Sequence, residues 1–178
     1  MNHTSFFTLA LVSVAFAQAQ PVFGKLEWSM TPAQAKAVYA GFETVPETYG
    51  FRVRKVDVKV AIVDIVVEAV RGSATITNIT LETADINDRI KDPANKRDLN
   101  TTKREIAFTD FKDLLVEKYG APTSEDRTTE GETTTTRLVW KLPLTLVSLV
   151  RSESRYQYSG PSGYLLVAYK AVDRNNPM

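Results

Sequence analysis

Cysteine is absent from this sequence, and histidine occurs only once, at His3. Without cysteine the chain can form no disulfide and offers no thiol nucleophile, so packing alone must hold its fold together. If the segment that contains His3 is removed, the remaining chain also lacks a Ser–His pair and the nitrogen and sulfur ligands of zinc sites. The composition therefore excludes most hydrolase mechanisms and the usual zinc sites, and it leaves carboxylate, Lys, Tyr or Ser chemistry. We expect no catalytic residues, no metal and no cofactor.

An excess of charge of one sign is also missing. The 22 Lys and Arg residues nearly balance the 21 Asp and Glu residues, which gives a formal net charge of +1. Nucleic-acid-binding domains usually carry a strong basic excess. The balance therefore argues against a nucleic-acid partner, while the 43% hydrophobic content argues against a disordered chain.

Residues 1–20 contain no Lys, Arg, Asp or Glu. An apolar run from Phe6 to Phe16 is followed by two overlapping small-x-small patterns that end at Ala17 and Ala19. This layout is typical of a secretory signal peptide. We expect cleavage after Ala19, with cleavage after Ala17 as the alternative.

The exported chain is expected to be periplasmic or secreted. The apolar run is shorter than the roughly 20 residues that a membrane-spanning helix needs, and no cysteine follows it that could carry a lipid anchor. We therefore expect residues 1–19 to be a cleaved signal peptide. Residues 20–178 are expected to form a single domain that is neither membrane-spanning nor lipid-anchored.

Two helices are predicted from their end signals. Thr31, Pro32 and Gln34 form a capping box with proline at the first helical position, and Gly41 is the expected helix end. The second helix carries an apolar stripe, is stopped by Gly120 and Pro122, and is expected to start at either Thr102 or Thr109. Its residues Phe108, Phe111 and Leu115 are expected to be buried together with Trp140.

Most of the remaining chain is rich in strand formers. Residues 51–70 alternate with a period of two that changes phase near Ala61, which predicts either a bulge there or burial on both faces. Residues 74–84 predict a second strand, and residues 85–104 predict a solvated, charged loop. After a turn at Glu130-Gly131, strands are expected at 137–142, 144–151 and 164–171, with loops at Leu142-Pro143 and at residues 159–163.

These elements predict an α+β fold. Adjacent strands with short turns favour an antiparallel sheet, and the two helices are expected to cover one face of it in a two-layer arrangement. The order helix, strands, helix, strands also leaves open a division into two helix-plus-sheet units.

Two segments resemble known exported proteins. Residues 28–34, Trp-Ser-Met-Thr-Pro-Ala-Gln, resemble the helix start of the small outer-membrane assembly lipoproteins. Residues 114–122, which end in Lys-Tyr-Gly-Ala-Pro, together with the later Trp140, are similar to the helix, Gly-x-Pro and aromatic-strand unit of that family. A helix-then-sheet unit used twice is similar to the β-lactamase-inhibitory proteins, and exported bacterial α+β proteins share the Tyr-Gly-x-Pro helix end. These resemblances imply a binding or assembly domain without catalytic residues.

Two groups of side chains are candidates for binding. Arg52 and Arg54, with Lys55, Tyr49 and Phe51 nearby, form a predicted basic-aromatic patch for an anionic lipid or polysaccharide, or else an exposed charged strand face. Tyr156, Tyr158 and Tyr164 flank the Gly-Pro loop, where amphipathic rings often serve recognition, although tyrosines also simply end strands.

Carboxylates are the remaining candidates for chemistry. Asp64 and Glu68 share a strand face among apolar residues, and we expect that face to be exposed to solvent. Their Cα atoms would be roughly 13 Å apart on a straight strand, beyond the ~5–9.5 Å of paired glycosidase carboxylates. Asp85 and Asp88 begin like a calcium loop but lack its Gly and closing Glu. A looser calcium site there, or among the acidic residues of 125–132, is left open.

The sequence thus supports two functional hypotheses. The first is a non-enzymatic exported protein that binds another protein or an envelope component. The alternative is a carboxylate-dependent hydrolase that acts on envelope glycans.

Overall fold

The computed structural model describes residues 22–83, 86, 100–156 and 160–172. Two helices, α1 (Pro32–Val38) and α2 (Asn100–Tyr119), accompany eight strands within these residues. The strands are β1 (Thr44–Glu47), β2 (Gly50–Asp57), β3 (Ile62–Glu68), β4 (Asn78–Glu82), β5 (Ser124–Glu130), β6 (Thr133–Lys141), β7 (Thr145–Tyr156) and β8 (Gly160–Ala171).

The eight strands form one antiparallel sheet in the order β1-β2-β3-β4-β8-β7-β6-β5. Each half of the sheet is a meander of four consecutive strands, and the halves join where Ile79 of β4 pairs with Tyr169 of β8. Helix α1 precedes the first meander and α2 precedes the second. The predicted α+β class with an antiparallel sheet is confirmed, and the sheet is larger than the sequence suggested.

Helix α1 begins as its sequence predicts. The Thr31 hydroxyl accepts a hydrogen bond from the Gln34 N–H, and the Gln34 side chain accepts one from the Thr31 N–H at 2.9 Å, which completes the capping box. The helix ends at Val38, earlier than the expected end at Gly41, which instead adopts a positive φ in the following turn. Trp28, just before the helix, reaches the second meander and donates to Thr145 Oγ1 at 2.9 Å.

The change of phase near Ala61 marks a hairpin turn. Residues 51–70 are not one strand with a bulge at Ala61, because β2 ends at Asp57 and β3 starts at Ile62. Lys59 turns the chain with a φ of 74°, and its N–H donates to the Asp57 carboxylate at 2.8 Å. The bulge lies instead inside β2, between Val53 and Val56.

The prediction of a solvated loop up to Arg104 is wrong at its end. Helix α2 already starts at Asn100, and both Asn100 and Arg104 are fully buried. Arg104 donates two hydrogen bonds of 2.8 Å to the Glu153 carboxylate of β7 and a third to the Ile86 carbonyl oxygen. A buried guanidinium needs such hydrogen-bond partners. Glu153 and Ile86 are distant from Arg104 in the sequence, so local sequence patterns cannot predict that they bond it. Asp85, Asp88 and the other residues of 87–99 lie outside the described residues.

One buried cluster joins both helices to alternate strand residues. Ala35 of α1 and Phe111 and Leu115 of α2 belong to it. Its strand members are Phe51, Val53, Val63, Ile65, Val67, Ile79, Leu81, Leu138, Trp140, Val147, Leu149, Leu165, Val167 and Tyr169. The predicted burial of Phe111, Leu115 and Trp140 is therefore confirmed, while Phe108 is half-buried at the border.

The second meander contains the predicted turns. Gly131, with a φ of 58°, connects β5 to β6 next to the paired residues Glu130 and Thr133. The predicted loop at residues 159–163 is too long, because β8 already begins at Gly160, opposite Tyr156. Strand β5, which precedes the predicted turn at Glu130-Gly131, is exposed along its whole length.

Candidate functional site

The strand residues that alternate with the buried cluster form the opposite face of the sheet. In the second meander, side chains of this face border a groove with a volume of about 430 Å³. Its lining residues are Asp126, Thr128 and Glu130 of β5, Thr133, Thr135 and Arg137 of β6, and Tyr164 of β8. We call this set the sheet groove.

The strand register explains the shape of the sheet groove. Thr128, Thr135, Ser152 and Tyr164 lie side by side on four neighbouring strands. Ser152 is small and buried between larger neighbours, whereas Tyr164 is 43% exposed. The exposed ring of Tyr164 and the side chains of β5 and β6 therefore border the groove on either side of the small, buried Ser152.

The hydroxyl groups of two threonines in the sheet groove are bonded to serines of β7. Thr135 and Ser152 share a hydrogen bond of 3.1 Å between their hydroxyls, and Thr133 and Ser154 share one of 2.7 Å. Each hydroxyl can both donate and accept, so one such bond leaves further capacity at each Thr. The fold therefore positions these two threonines, and their hydroxyl groups can still form a hydrogen bond with a ligand.

The charged side chains of the sheet groove form no ion pair with other described residues. Among the described residues, Asp126, Glu130 and Arg137 take part in no ion pair within 4.0 Å, although Asp126 and Arg137 are register partners. All three side chains are exposed. They are thus accessible to a molecule that enters the groove.

On the same face of the first meander, charged side chains form ion pairs with one another. Arg52 contacts Glu47 at 2.8 Å, Glu82 at 2.5 Å and Asp64 at 3.5 Å. Burial alone would lower the pKa of Arg52, but hydrogen bonds to Glu82 and Glu47 raise it above its ordinary value. Arg52 is therefore a fixed cation that ties β1, β2, β3 and β4 together.

Asp64 is buried, so the expectation that it faces solvent is wrong. Its carboxylate accepts hydrogen bonds from Arg54 Nη1 and from the Lys55 N–H, both at 3.1 Å, and Lys55 is held in the bulge with a φ of 52°. Glu82 shares Arg52 with Asp64, which brings two carboxylates close together. Glu68 lies half-buried on the same strand face. Guanidinium groups occupy the space between the carboxylates, where a substrate would have to enter.

The predicted basic-aromatic patch is divided by the sheet. Arg52 and Arg54 are paired with carboxylates on one face, while Phe51 is buried in the cluster on the other. Tyr49 remains exposed at the β1–β2 turn. A binding role for Arg52 and Arg54 stays a prediction, and the structure gives both of them structural partners.

Of the three predicted binding tyrosines, Tyr164 lines the sheet groove. Tyr156 ends β7, and its side chain lies outside the described part of the structure, as does all of Tyr158. The sequence indicates Asp126 and Glu130 only as part of a loose calcium site, and it indicates no binding role for Arg137. Their signal was the alternation of residues 126–137, which places every second side chain on one face of the β5–β6 hairpin.

The described residues contain neither a cluster of metal ligands nor a membrane-spanning helix. Within them, no three His, Cys, Asp or Glu side chains come together as a metal site would require. No helix in that part of the chain is long and apolar enough to cross a membrane. Comparison with family models, with curated proteins and with solved structures finds no match for this chain.

Proposed function

We propose that this chain is a non-enzymatic exported protein, periplasmic or secreted, that binds a component of the cell envelope through the sheet groove. The observation that carries the proposal is the set of polar groups in the groove that the fold does not use. Asp126, Glu130 and Arg137 are exposed and unpaired among the described residues, beside the half-exposed ring of Tyr164. Binding surfaces characteristically combine such polar groups with an amphipathic aromatic ring.

The packing supports an open face at this site. Both helices contribute to the same buried cluster, whose strand members all lie on one side of the sheet by register. We infer a two-layer arrangement in which α1 and α2 cover that side. In the part of the chain that the structure describes, no helix then lies over the side with the sheet groove, and its lining side chains on β5 are exposed.

The carboxylates of the groove support binding rather than hydrolysis. Asp126 and Glu130 lie four residues apart on one strand, which separates their Cα atoms by about 13 Å. Paired glycosidase carboxyl groups are ~5–9.5 Å apart, and the general acid of the pair is usually buried. Asp126 and Glu130 are both exposed. The alternative, a carboxylate-dependent hydrolase of envelope glycans, therefore has less support.

Affinity capture from an envelope extract of the source cells tests this proposal. The bait is compared with Tyr164→Ala and Arg137→Ala, which alter the sheet groove, and with Tyr49→Ala as the matched control. Tyr49 is also an exposed tyrosine, but it lies at the other end of the sheet. We expect an envelope component that the bait and the control retain and that both groove variants lose. Equal retention by all four baits would refute the role of the groove.

A further inference from the structure

The sheet groove offers hydrogen-bond donors and acceptors in close alternation. The carboxylates of Asp126 and Glu130 only accept, the Arg137 guanidinium only donates, and the threonine hydroxyls do both. A ligand that matches this pattern must itself present donors and acceptors side by side. Hydroxyl groups on a sugar ring have this property, since each one donates and accepts.

The charge of the groove disfavours strongly ionic ligands. Two carboxylates and one guanidinium line it, so an anionic ligand would meet net repulsion. Arg137 is the register partner of Asp126. A polycation that is attracted by the Asp126 carboxylate would therefore also be repelled by the Arg137 guanidinium. The pattern thus favours an uncharged ligand.

Tyr164 supplies the apolar part of the surface. Its ring is 43% exposed at the border of the groove, whereas Ser152, its register partner, is buried and small. A flat aromatic ring beside polar side chains can bind a molecule that has one face of C–H groups and hydroxyl groups around its edge. A pyranose ring has that shape.

The dimensions suit a short chain of sugar rings. Three inter-strand steps from β5 to β8 span about 14 Å, and the four residues from Asp126 to Glu130 span about 13 Å. The volume of about 430 Å³ lies within the range of small-molecule sites, roughly 300–1,000 Å³.

From these four features we infer that the sheet groove binds a neutral oligosaccharide, with the ring of Tyr164 against one sugar face. This inference rests on the proposed function and names the chemical class of its ligand. Asp126, Arg137 and Thr135 would bond the sugar hydroxyls. A cationic peptide is the rival occupant, and the experiment separates the two.

The test is an array of neutral, acidic and amino oligosaccharides probed with the purified chain, followed by calorimetric titration of the best neutral hit and of tetralysine. We expect saturable binding to a neutral oligosaccharide that Tyr164→Ala weakens at least about tenfold, that Tyr164→Phe largely preserves, and that Tyr49→Ala leaves unchanged. Retention by Tyr164→Phe identifies the ring rather than the hydroxyl as the contact.

Three results would overturn the inference. They are binding to tetralysine or acidic sugars alone, no binding to any neutral oligosaccharide, and neutral-sugar binding that Tyr164→Ala does not affect. If either of the first two occurs while the groove variants still lose an envelope component in the capture experiment, the ligand class is wrong and the proposed function stands. The third result would show that the sugar does not bind against Tyr164, and the assignment of the sugar to the groove then fails. If capture is also independent of the groove, both fail.

Discussion

The Trp140 indole N–H donates a hydrogen bond of 2.8 Å to the main-chain oxygen of Gly120, which connects β6 directly to the end of α2. Gly120 has a φ of 79°, a conformation that ends the helix and exposes its last carbonyl groups. The carbonyl oxygen just beyond the helix is thus bonded by a tryptophan that is itself buried in the main cluster. The bond fixes where α2 ends relative to the second meander.

Trp140→Phe tests this connection. The variant keeps an aromatic ring but leaves the Gly120 oxygen without its donor, which should lower the free energy of unfolding by about 1–3 kcal/mol. The measurement is urea denaturation followed by circular dichroism. Tyr164→Phe, on the groove side of the sheet, is a control that should leave stability nearly unchanged. An unaltered denaturation midpoint in Trp140→Phe would show that this bond contributes nothing.

Loss of the buried ion pair between Arg104 and Glu153 should lower the free energy of unfolding more than Trp140→Phe does. Arg104→Met leaves Glu153 without its guanidinium partner, and breaking such a buried pair costs about 3–5 kcal/mol. Because Arg104 Nε and Ser152 O would lie 2.8 Å and 2.5 Å from a Cβ at residue 163, Gly163→Ala should also destabilise the protein. Chemical denaturation of both variants provides the measurement. Wild-type stability in Arg104→Met would contradict the structural role of the pair.

Alkaline pH should destabilise the fold through a buried tyrosine. Burial raises the pKa of Tyr39 to about 12 from an ordinary value of 10.0. Below pH 10 the phenol is protonated in the folded and unfolded chains alike, so its stabilising effect is fully present. Between about pH 10 and pH 12 the unfolded chain loses the proton first, and that stability is lost. Burial, followed by the nearby Tyr119, raises the pKa of Tyr169 in the same direction.

Urea midpoints measured from pH 9 to pH 12 test this effect. The decline should be shallower in Tyr39→Phe, whereas Tyr49→Phe, which alters an exposed tyrosine, should decline like the wild type. Identical declines in all three proteins would show that the Tyr39 phenol is not responsible.

Export is tested by the mass of the protein recovered from its source. The signal-peptide prediction expects a chain that begins at Gln20, or at Gln18 if the alternative site is used. Intact-mass spectrometry distinguishes the two. Recovery of chains that retain Met1 from the cytoplasm would contradict the predicted address and restore His3 as a residue of the working protein.

Local signals were sufficient for much of the fold. The capping box at Thr31, the stop at Gly120 and the turn at Gly131 each depend on a few neighbouring residues, and all three occur in the structure. The phase change near Ala61 was interpreted either as a bulge or as burial on both faces. It is a hairpin turn that lacks a Gly-rich or Pro-rich signal, whereas residues 63–67 of β3 are indeed buried on both faces. The short β1, with Pro46 inside it, gave too few alternating residues to be recognised.

Long-range pairing accounts for what the sequence could not provide. The buried guanidinium of Arg104 donates two hydrogen bonds to Glu153 of β7, and no local pattern indicates that partner. Asp64 is likewise buried against Arg52 and Arg54. The lining of the sheet groove comes from three strands, and Tyr164 is its only residue that the sequence indicates as a binding tyrosine.

The central claim is that the sheet groove is the binding surface, and amide chemical-shift mapping tests it most directly. Isotope-labelled protein would be titrated with a solubilised envelope fraction while its backbone amide signals are followed. The account predicts that the largest shifts cluster at residues 126–137 and around Tyr164, and that Tyr164→Ala abolishes them. Shifts that cluster on α2 or around Arg52, or no shifts at all, would contradict it.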